Sequence, residues 1–478
     1  MLIRSASGLR GIVKDNFSPE MIDQYVASFI SNQNITSCVI GRDGRSSGKD
    51  ITQWVINALT NYGVNVDNCD LATTPTIQLM TEKDRYDGGI VVTASHNPSE
   101  YNGLKFLQKD GTFLSPDQCN ALFAYVDKEV SLDESEKTGK VLEYGSANEE
   151  HIEKVFAAKC ISVEGIRKKK LKVVIDAVNG AGSKVLPLLC EKLGCHVTTM
   201  NCNGDGNFTR VAEPLAENLN DLEKKVLEVG ADIGFATDPD GDRLSIVSNK
   251  GKAIGEEYSL VLAYLNFTNN YTLYSLSSEP VAPPVSGTVT KSLWKFPNIS
   301  IPNGYIVTNL STSMMINEIK KRHSLLTGTL PKGVIRTKIG EAHVVEQMKK
   351  HDIWIGGEGN GGVILKEVHL GRDSLVAVAM VLNILCYYGS FEEILAEIPS
   401  YIFIKDKIKI DNSIDFDSLA TLFDCDEINT EDGIKFTWPE KWIHIRKSNT
   451  EPIIRIFAEA KTENEVNDLI QTLKNYLK

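Results

Sequence analysis

Apolar runs along this 478-residue chain come in a recurring order, a short buried strand followed by a helix with one apolar face. Cys38-Val39-Ile40 ends in Gly41-Arg42-Asp43-Gly44, and the helical spacing that follows puts Ile51, Val55, Ala58 and Leu59 on one face, with Gly63 as its stop. Val173-Val174-Ile175 ends in Asp176-Ala177-Val178-Asn179-Gly180, before a helix with Val185, Leu188, Leu189 and Leu193 on one face and Gly194 as its stop. Tyr305-Ile306-Val307 ends in Thr308-Asn309-Leu310-Ser311, before a helix through Met315 and Ile319. The three strands are almost evenly spaced, near residues 39, 173 and 306, which predicts three related α/β units.

Each unit has a second strand that opens into a polar loop. Gly88-Gly89-Ile90-Val91-Val92 leads into Thr93-Ala94-Ser95-His96-Asn97-Pro98. Ala231 to Ala236 leads into Asp238-Pro239-Asp240-Gly241-Asp242-Arg243, and Asp352-Ile353-Trp354-Ile355 leads into Gly356-Gly357-Glu358-Gly359-Asn360-Gly361-Gly362. Ligands of open α/β sheets gather beyond the carboxyl ends of the strands, so the three loops are expected to converge on one cleft. The tail differs. Tyr401 to Asp411, Trp442 to Ile445 and Ile453 to Ala458 read as strands, and the last helix carries Val466, Leu469, Ile470, Leu473 and Leu477 on one face. Residues 269–304, Asn-rich and then Pro-rich, read as a surface excursion of the third unit. Pro399 and the stretch from Lys137 to His151 mark boundaries.

Bulk properties narrow the classes. The length calls for about three or four domains. A formal charge of −12 argues against a nucleic-acid surface, and the one basic run, Arg167 to Lys170, reads as a solvated helix end. No apolar stretch is long enough for a membrane span, and Met1-Leu2-Ile3-Arg4-Ser5 does not open a signal peptide. Nine scattered cysteines without a CxxC pair fit reduced thiols, so a cytoplasmic setting is expected.

The densest chemistry lies in Asp238, Asp240 and Asp242. Three carboxylates on alternate positions repel one another, and a hard cation with oxygen ligands relieves the repulsion. An EF-hand loop opens the same way, but its sixth and twelfth positions fall here on Arg243 and Asn249 rather than Gly and Glu. Three protein carboxylates leave room for a phosphate, which suits Mg²⁺; an acidic turn in a solvated loop is the bland alternative. Ser95, straight after a buried strand, can act as a nucleophile or carry a phosphoryl group, with His96 and Lys105 to neutralise charge or relay protons, although a serine in a turn is more often a cap.

Taken together and in order, the Ser95 loop, the three-aspartate loop, the Glu358 loop and Arg446-Lys447-Ser448-Asn449-Thr450-Glu451-Pro452 resemble the α-D-phosphohexomutase family over essentially the whole chain. The resemblance implies three similar mixed α/β domains plus a smaller C-terminal α+β domain around a central cleft. The divisions read here are 1–150 (phosphoserine), 151–252 (metal), 253–398 (sugar) and 399–478 (a phosphate-binding lid). It implies interconversion of hexose 6-phosphate and hexose 1-phosphate through a phosphoserine at Ser95 and a sugar bisphosphate. One Mg²⁺ per chain would be held by Asp238, Asp240, Asp242 and Ser95, with a hexose 1,6-bisphosphate as activator. Phosphoserine and three carboxylates together approach a charge of about −5, so cations are needed beside the metal. Arg10, His96, Lys105 and Arg243 are the candidates.

By the same resemblance Glu358 and Asn360 read the sugar, while Arg446, Ser448, Asn449 and Thr450, supported by Arg455, grip the non-reacting phosphate. The partner is a small sugar phosphate, with no nucleic acid or membrane, acting on a monomer or homodimer. Many family members carry Ser and His in the sugar loop where this chain has Asn360-Gly361-Gly362, a form similar to phosphoglucosamine mutases. Ser448-Asn449-Thr450-Glu451-Pro452 is similar instead to phosphomannomutase and phosphoglucomutase members. The balance leans slightly to glucosamine phosphate. Two other readings are a phosphomonoesterase, in which water intercepts the phosphoserine, and a non-catalytic sugar-phosphate or metal binder.

Overall fold

The computed structural model describes residues 2–5, 8–128, 132–133, 135–277, 304–319, 333–388, 390–409, 416–447 and 453–477. The chain divides into two compact units, Met1–Gly287 with Gly361–Phe391, and Thr288–Asn360 with Glu392–Lys478.

In the first unit β1 (Ile3–Ser5), β2 (Gly8–Ile12), β3 (Ser37–Arg42), β4 (Asn65–Leu71), β5 (Gly88–Val92), β6 (Tyr101–Gln108) and β7 (Val141–Glu143) form one sheet. Its order is β1-β2-β6-β5-β3-β4-β7. β3 runs parallel to β4 and β5, while β6 returns antiparallel beside β5. A second sheet repeats that layout with β8 (Lys172–Asp176), β9 (His196–Met200), β10 (Ile233–Thr237) and β11 (Leu244–Ser248). Here β8 lies between parallel β9 and β10, and β11 returns antiparallel beside β10. The near-even spacing of apolar runs thus corresponds to a repeated strand order.

The helices follow from the apolar spacing. Pro19–Gln33 starts at Ser18, whose side chain accepts from Met21 N, and Gly48–Asn61 buries Ile51, Val55, Ala58 and Leu59. Gly182–Lys192 buries Val185, Leu186 and Leu189; Leu188 is only half-buried, so the face is turned slightly from the expected one. Strand β15 (Gly362–Leu365) and the helix Ser374–Leu385 also belong to this unit. All twelve residues of that helix are buried. It packs on the helix Glu257–Ser277. Residues 269–277, expected to begin a surface excursion, continue this second helix instead. The remainder of the excursion, apart from Gly304, lies outside the described residues.

In the second unit β12 (Tyr305–Asn309) lies between parallel β13 (Gly333–Thr337) and β14 (Ile355–Glu358), the first three strands of the same layout. β14 starts later than the sequence implied and carries Glu358 as its last residue. The C-terminal sheet is antiparallel, with β16 (Ile402–Lys409), β17 (Glu427–Asn429), β18 (Ile434–Thr437), β19 (Trp442–Lys447) and β20 (Ile453–Ala460) in the order β16-β20-β19-β18-β17. Two of these strands, β17 and β18, were not expected. The helix Glu463–Tyr476 covers the sheet with Val466, Leu469, Ile470 and Leu473, and opens on a capping box of Thr462 and Glu465. Three α/β modules and a smaller α+β domain are thus the fold.

Candidate active site

β5 delivers Ser95 and β10 delivers Asp238, each just beyond the strand's carboxyl end. Ser95, 143 positions earlier in sequence, donates from Oγ to Asp238 Oδ2 at 3.1 Å. Its side chain is almost wholly buried, and its backbone is left-handed, with φ of 49°. Local bonds hold that conformation. Ser95 N donates to Thr93 Oγ1 at 2.8 Å, and Thr93 Oγ1 donates to Asp43 Oδ2 at 2.6 Å. Asp43 pairs with Arg45 at 3.0 Å, both side chains fully buried. Arg45 also donates to the carbonyls of Ser95 (2.6 Å), Asn97 (2.7 Å) and Tyr101 (2.9 Å).

The three-aspartate loop is gripped in turn. Asp240 Oδ2 accepts from Lys105 Nζ at 2.6 Å and from Thr74 Oγ1 at 2.6 Å. Asp242 Oδ2 accepts from Arg372 at 2.6 Å and lies 3.5 Å from Lys105. Asp238 Oδ1 receives the backbone N–H groups of Asp242 and Arg243, each at 3.2 Å. Arg243 pairs with Glu213 at 2.8 Å. His96 Nδ1 stands 3.4 Å from Ser95 Oγ, and Arg10 donates to Asn97 Oδ1 at 3.1 Å. Gly180 backs the loop so closely that a Cβ there would lie 2.3 Å from the Pro239 carbonyl oxygen.

Electrostatics follow from burial and charge. Burial, then repulsion from Asp242 and Asp240, pushes the Asp238 carboxyl well above the ordinary range. Burial acts on Asp240 the same way, but the Lys105 charge and hydrogen bonds from Lys105 and Thr74 outweigh it and hold that carboxyl below the ordinary range. Lys105 is raised in return, because Asp240 and Asp242 overcome the burial that would lower it. Burial, then the charges of Arg243 and Arg10, holds His96 well below its ordinary value.

One oxygen from each of Asp238, Asp240 and Asp242 lies within 4.8 Å of the other two. Asp240 Oδ1 and Asp242 Oδ1 are buried without a hydrogen-bond partner. Orphaned buried carboxylate oxygens are costly, and a cation removes that cost. The triad therefore fits a divalent metal with oxygen ligands.

The other expected residues lie in the second unit and are described there alone. Glu358 Oε1 accepts from Asn309 Nδ2 at 2.8 Å and from Gly340 N at 2.9 Å, while Asn360 Nδ2 lies 3.4 Å from Glu358 Oε2. Arg446 donates from Nε to Asp432 Oδ1 at 3.1 Å and sits opposite Arg455 across the β19–β20 ladder. Ser448, Asn449 and Thr450 lie outside the described residues.

Sequence reasoning missed Asp43, Arg45, Thr74, Glu213 and Arg372. Asp43 and Arg45 had a signal, since they follow β3 at the place where the other strands carry their loops. Thr74, Glu213 and Arg372 had none, being single polar residues far along the chain from what they touch.

Models of the phosphoglucomutase/phosphomannomutase family match the chain in order: α/β/α domain I over residues 1–133, domain II over 149–251, domain III over 293–401 and the C-terminal domain over 407–475. A phosphoglucomutase/phosphomannomutase of Thermococcus kodakarensis is 32% identical, with 97% of this chain and 96% of the relative covered. A probable phosphoglucosamine mutase of Methanopyrus kandleri is 29% identical, with 97% and 95% covered. Among solved structures, a phosphoglucomutase/phosphomannomutase family protein of Burkholderia thailandensis superposes with a TM-score of 0.80 at 23% identity, covering 100% of this chain and 98% of its own. Among the described residues no helix is long and apolar enough to cross a membrane.

Proposed function

We propose that this chain, which belongs to the phosphoglucomutase/phosphomannomutase family and is a phosphohexomutase, interconverts hexose 6-phosphate and hexose 1-phosphate through a phosphoserine at Ser95, with glucosamine phosphate preferred. The observation that carries this reading is the approach of Ser95 Oγ to Asp238 at 3.1 Å, beside two further buried carboxylates. A serine with no phosphoryl role has no need of that setting.

In the proposed reaction the phosphoserine P–Oγ bond breaks as a P–O bond forms to the free C1 or C6 hydroxyl, which gives up its proton. The bisphosphate turns over, its other sugar P–O bond breaks as that phosphoryl group returns to Ser95 Oγ, and the freed sugar oxygen regains the proton given up in the first transfer. Asp238, Asp240 and Asp242, with Ser95, would hold Mg²⁺, which when bound balances the clustered negative charge and polarises the phosphoryl oxygens. Lys105, Arg243 and Arg10 line the reacting end and neutralise the rest, while His96, held well below its ordinary value, stands uncharged beside Ser95 as a proton relay. Glu358 would accept from vicinal hydroxyls or from an amine, with Asn360 beside it. Arg446, Ser448, Asn449, Thr450 and Arg455 would hold the resting phosphate, and a hexose 1,6-bisphosphate would prime the serine. The preference for glucosamine phosphate is supported by Asn360-Gly361-Gly362 and by the name of the Methanopyrus relative. A cytoplasmic setting, as monomer or homodimer, is part of the reading, supported by nine free cysteines.

The test is a coupled assay of the full chain on glucosamine, glucose and mannose 6-phosphates with catalytic bisphosphate. The 1-phosphate isomer is expected, fastest from glucosamine 6-phosphate, and Ser95→Ala is expected to lower kcat by more than about 1000-fold while staying folded. Full turnover by the alanine variant would remove the serine's role. Steady release of inorganic phosphate without isomer would make the chain a phosphatase.

A further inference from the structure

Two short turns hold the metal loop of the first unit, and both are tied to one buried histidine. The first turn opens the helix Thr74–Thr81. Thr74 donates from N to the Asp240 carbonyl at 2.9 Å and from Oγ1 to Asp240 Oδ2 at 2.6 Å. The second turn opens the helix Ser374–Leu385. Arg372 holds Asp242 Oδ2 at 2.6 Å, and Ser374 Oγ donates to the Gly241 carbonyl at 2.6 Å. Together the turns fix Asp240, Gly241 and Asp242, and leave one oxygen of each aspartate without a hydrogen bond.

Between the turns stands His151, on the helix Ala147–Phe156 and fully buried. Its Nε2 lies 2.8 Å from Asp373 Oδ2, and its Nδ1 lies 2.9 Å from Thr76 Oγ1. A carboxylate only accepts, so His151 donates from Nε2, while its Nδ1 shares a hydrogen bond with the Thr76 hydroxyl. Both ends of this link are fixed. Asp373 Oδ1 caps its own helix through Leu375 N at 2.8 Å and Val376 N at 3.3 Å. Thr76 N donates to Thr73 Oγ1, the cap of the other helix, at 3.2 Å. His369 Nε2 adds a second bond to Asp373 Oδ2 at 3.2 Å. The imidazole thus sets the distance between two helix starts that each carry a grip on the metal loop. A buried histidine whose two nitrogens bridge the caps of two helices is more than core packing needs.

We propose that His151 is a positioning residue for the metal loop, acting through Thr76 and Asp373 to keep the oxygens of Asp240 and Asp242 that lack a hydrogen bond at coordinating distance. The proposal rests on the reading of the aspartate triad as a metal site. Partners beyond the ligands themselves set how well a metal is held, and their loss costs about tenfold or more in affinity.

The test is Mn²⁺ binding to the full chain, followed by electron paramagnetic resonance, with near-UV circular dichroism to confirm folding. His151→Ala is expected to raise the Kd by about tenfold. His151→Gln, which returns an N–H near the Nε2 position, is expected to recover most of that loss, and KM for the sugar phosphate at saturating metal is expected to stay unchanged. Thr76→Val cuts the other end of the link without changing side-chain size; it is expected to weaken Mn²⁺ binding too, and decides the matter if His151→Ala does not fold. Wild-type affinity in folded His151→Ala, or in Thr76→Val where that variant does not fold, overturns the proposal alone. A wild type that binds no Mn²⁺ overturns the metal reading, and the proposal with it.

Discussion

Arg45 donates to the Ser95 carbonyl at 2.6 Å from a position fully closed to solvent. The same guanidinium takes three further carbonyls, those of Asn97, Pro98 and Tyr101, and the Asp43 carboxylate, so one planar fork shapes the whole turn. Lysine keeps the charge but not the fork. Arg45→Lys is expected to lower kcat by about 100-fold, with KM changed far less, because the serine is displaced while the residues proposed to read the sugar are untouched. Steady-state kinetics on the folded variant check this, and a change confined to KM would contradict it.

Arg372 and Asp242 form a buried pair at 2.6 Å beside other carboxylates. Arg372→Met leaves Asp242 with less compensation. It is expected to cost about 3 kcal/mol in metal-free protein, and saturating Mg²⁺ is expected to shrink the loss, since the cation replaces the missing charge. Thermal melts with and without Mg²⁺ read both effects. An equal loss in the two conditions would disconnect Arg372 from the metal.

His444 is wholly buried and neutral in the second unit, donating from Nε2 to the Asp432 carbonyl at 2.6 Å and accepting from Ser311 Oγ at 2.7 Å. Burial lowers it to about 4. Unfolded, the same imidazole takes its proton near its ordinary value of about 6.5, so the unfolded chain binds the extra proton first as pH falls. His444's contribution is therefore intact above about pH 6.5 and lost progressively down to about pH 4, some 3 kcal/mol in all. His444→Gln cannot titrate and is expected to show a flatter Tm against pH over that window. Parallel curves for the two proteins would rule the histidine out as the cause.

Asp432 joins the two recognition sites expected in the second unit. Its Oδ1 takes Arg446 at 3.1 Å and its Oδ2 takes Ile339 N at 3.0 Å, next to Gly340, whose N–H holds Glu358. Asp432→Ala is expected to raise KM for the sugar phosphate by about tenfold, with kcat within about threefold. A loss carried by kcat alone would show that the aspartate does not support substrate binding.

How much of this was legible in the sequence depends on distance along the chain. The Ser95 loop and the Asp238–Asp242 loop were readable because their chemistry needs neighbouring residues, and each stands beyond a buried strand. Thr74, Arg372 and His151 were not, because each meets its partner across more than seventy positions and nothing local marks it. β7 was missed because its three residues are exposed and show no alternation. The end of the helix Glu257–Ser277 was missed because an apolar, Asn-rich run has no single face to count.

The buried helix Ser374–Leu385 has a consequence for biosynthesis. It fills the first unit, yet it leaves the ribosome only after the chain from Thr288 to Asn360 has gone to build the second. At about 5–20 residues per second, synthesis from Thr288 through Leu385 leaves the nascent first unit waiting about 5–20 s with an apolar slot open against Glu257–Ser277. Translation speed across that stretch, and any chaperone that shields the slot, would then govern the yield of native protein.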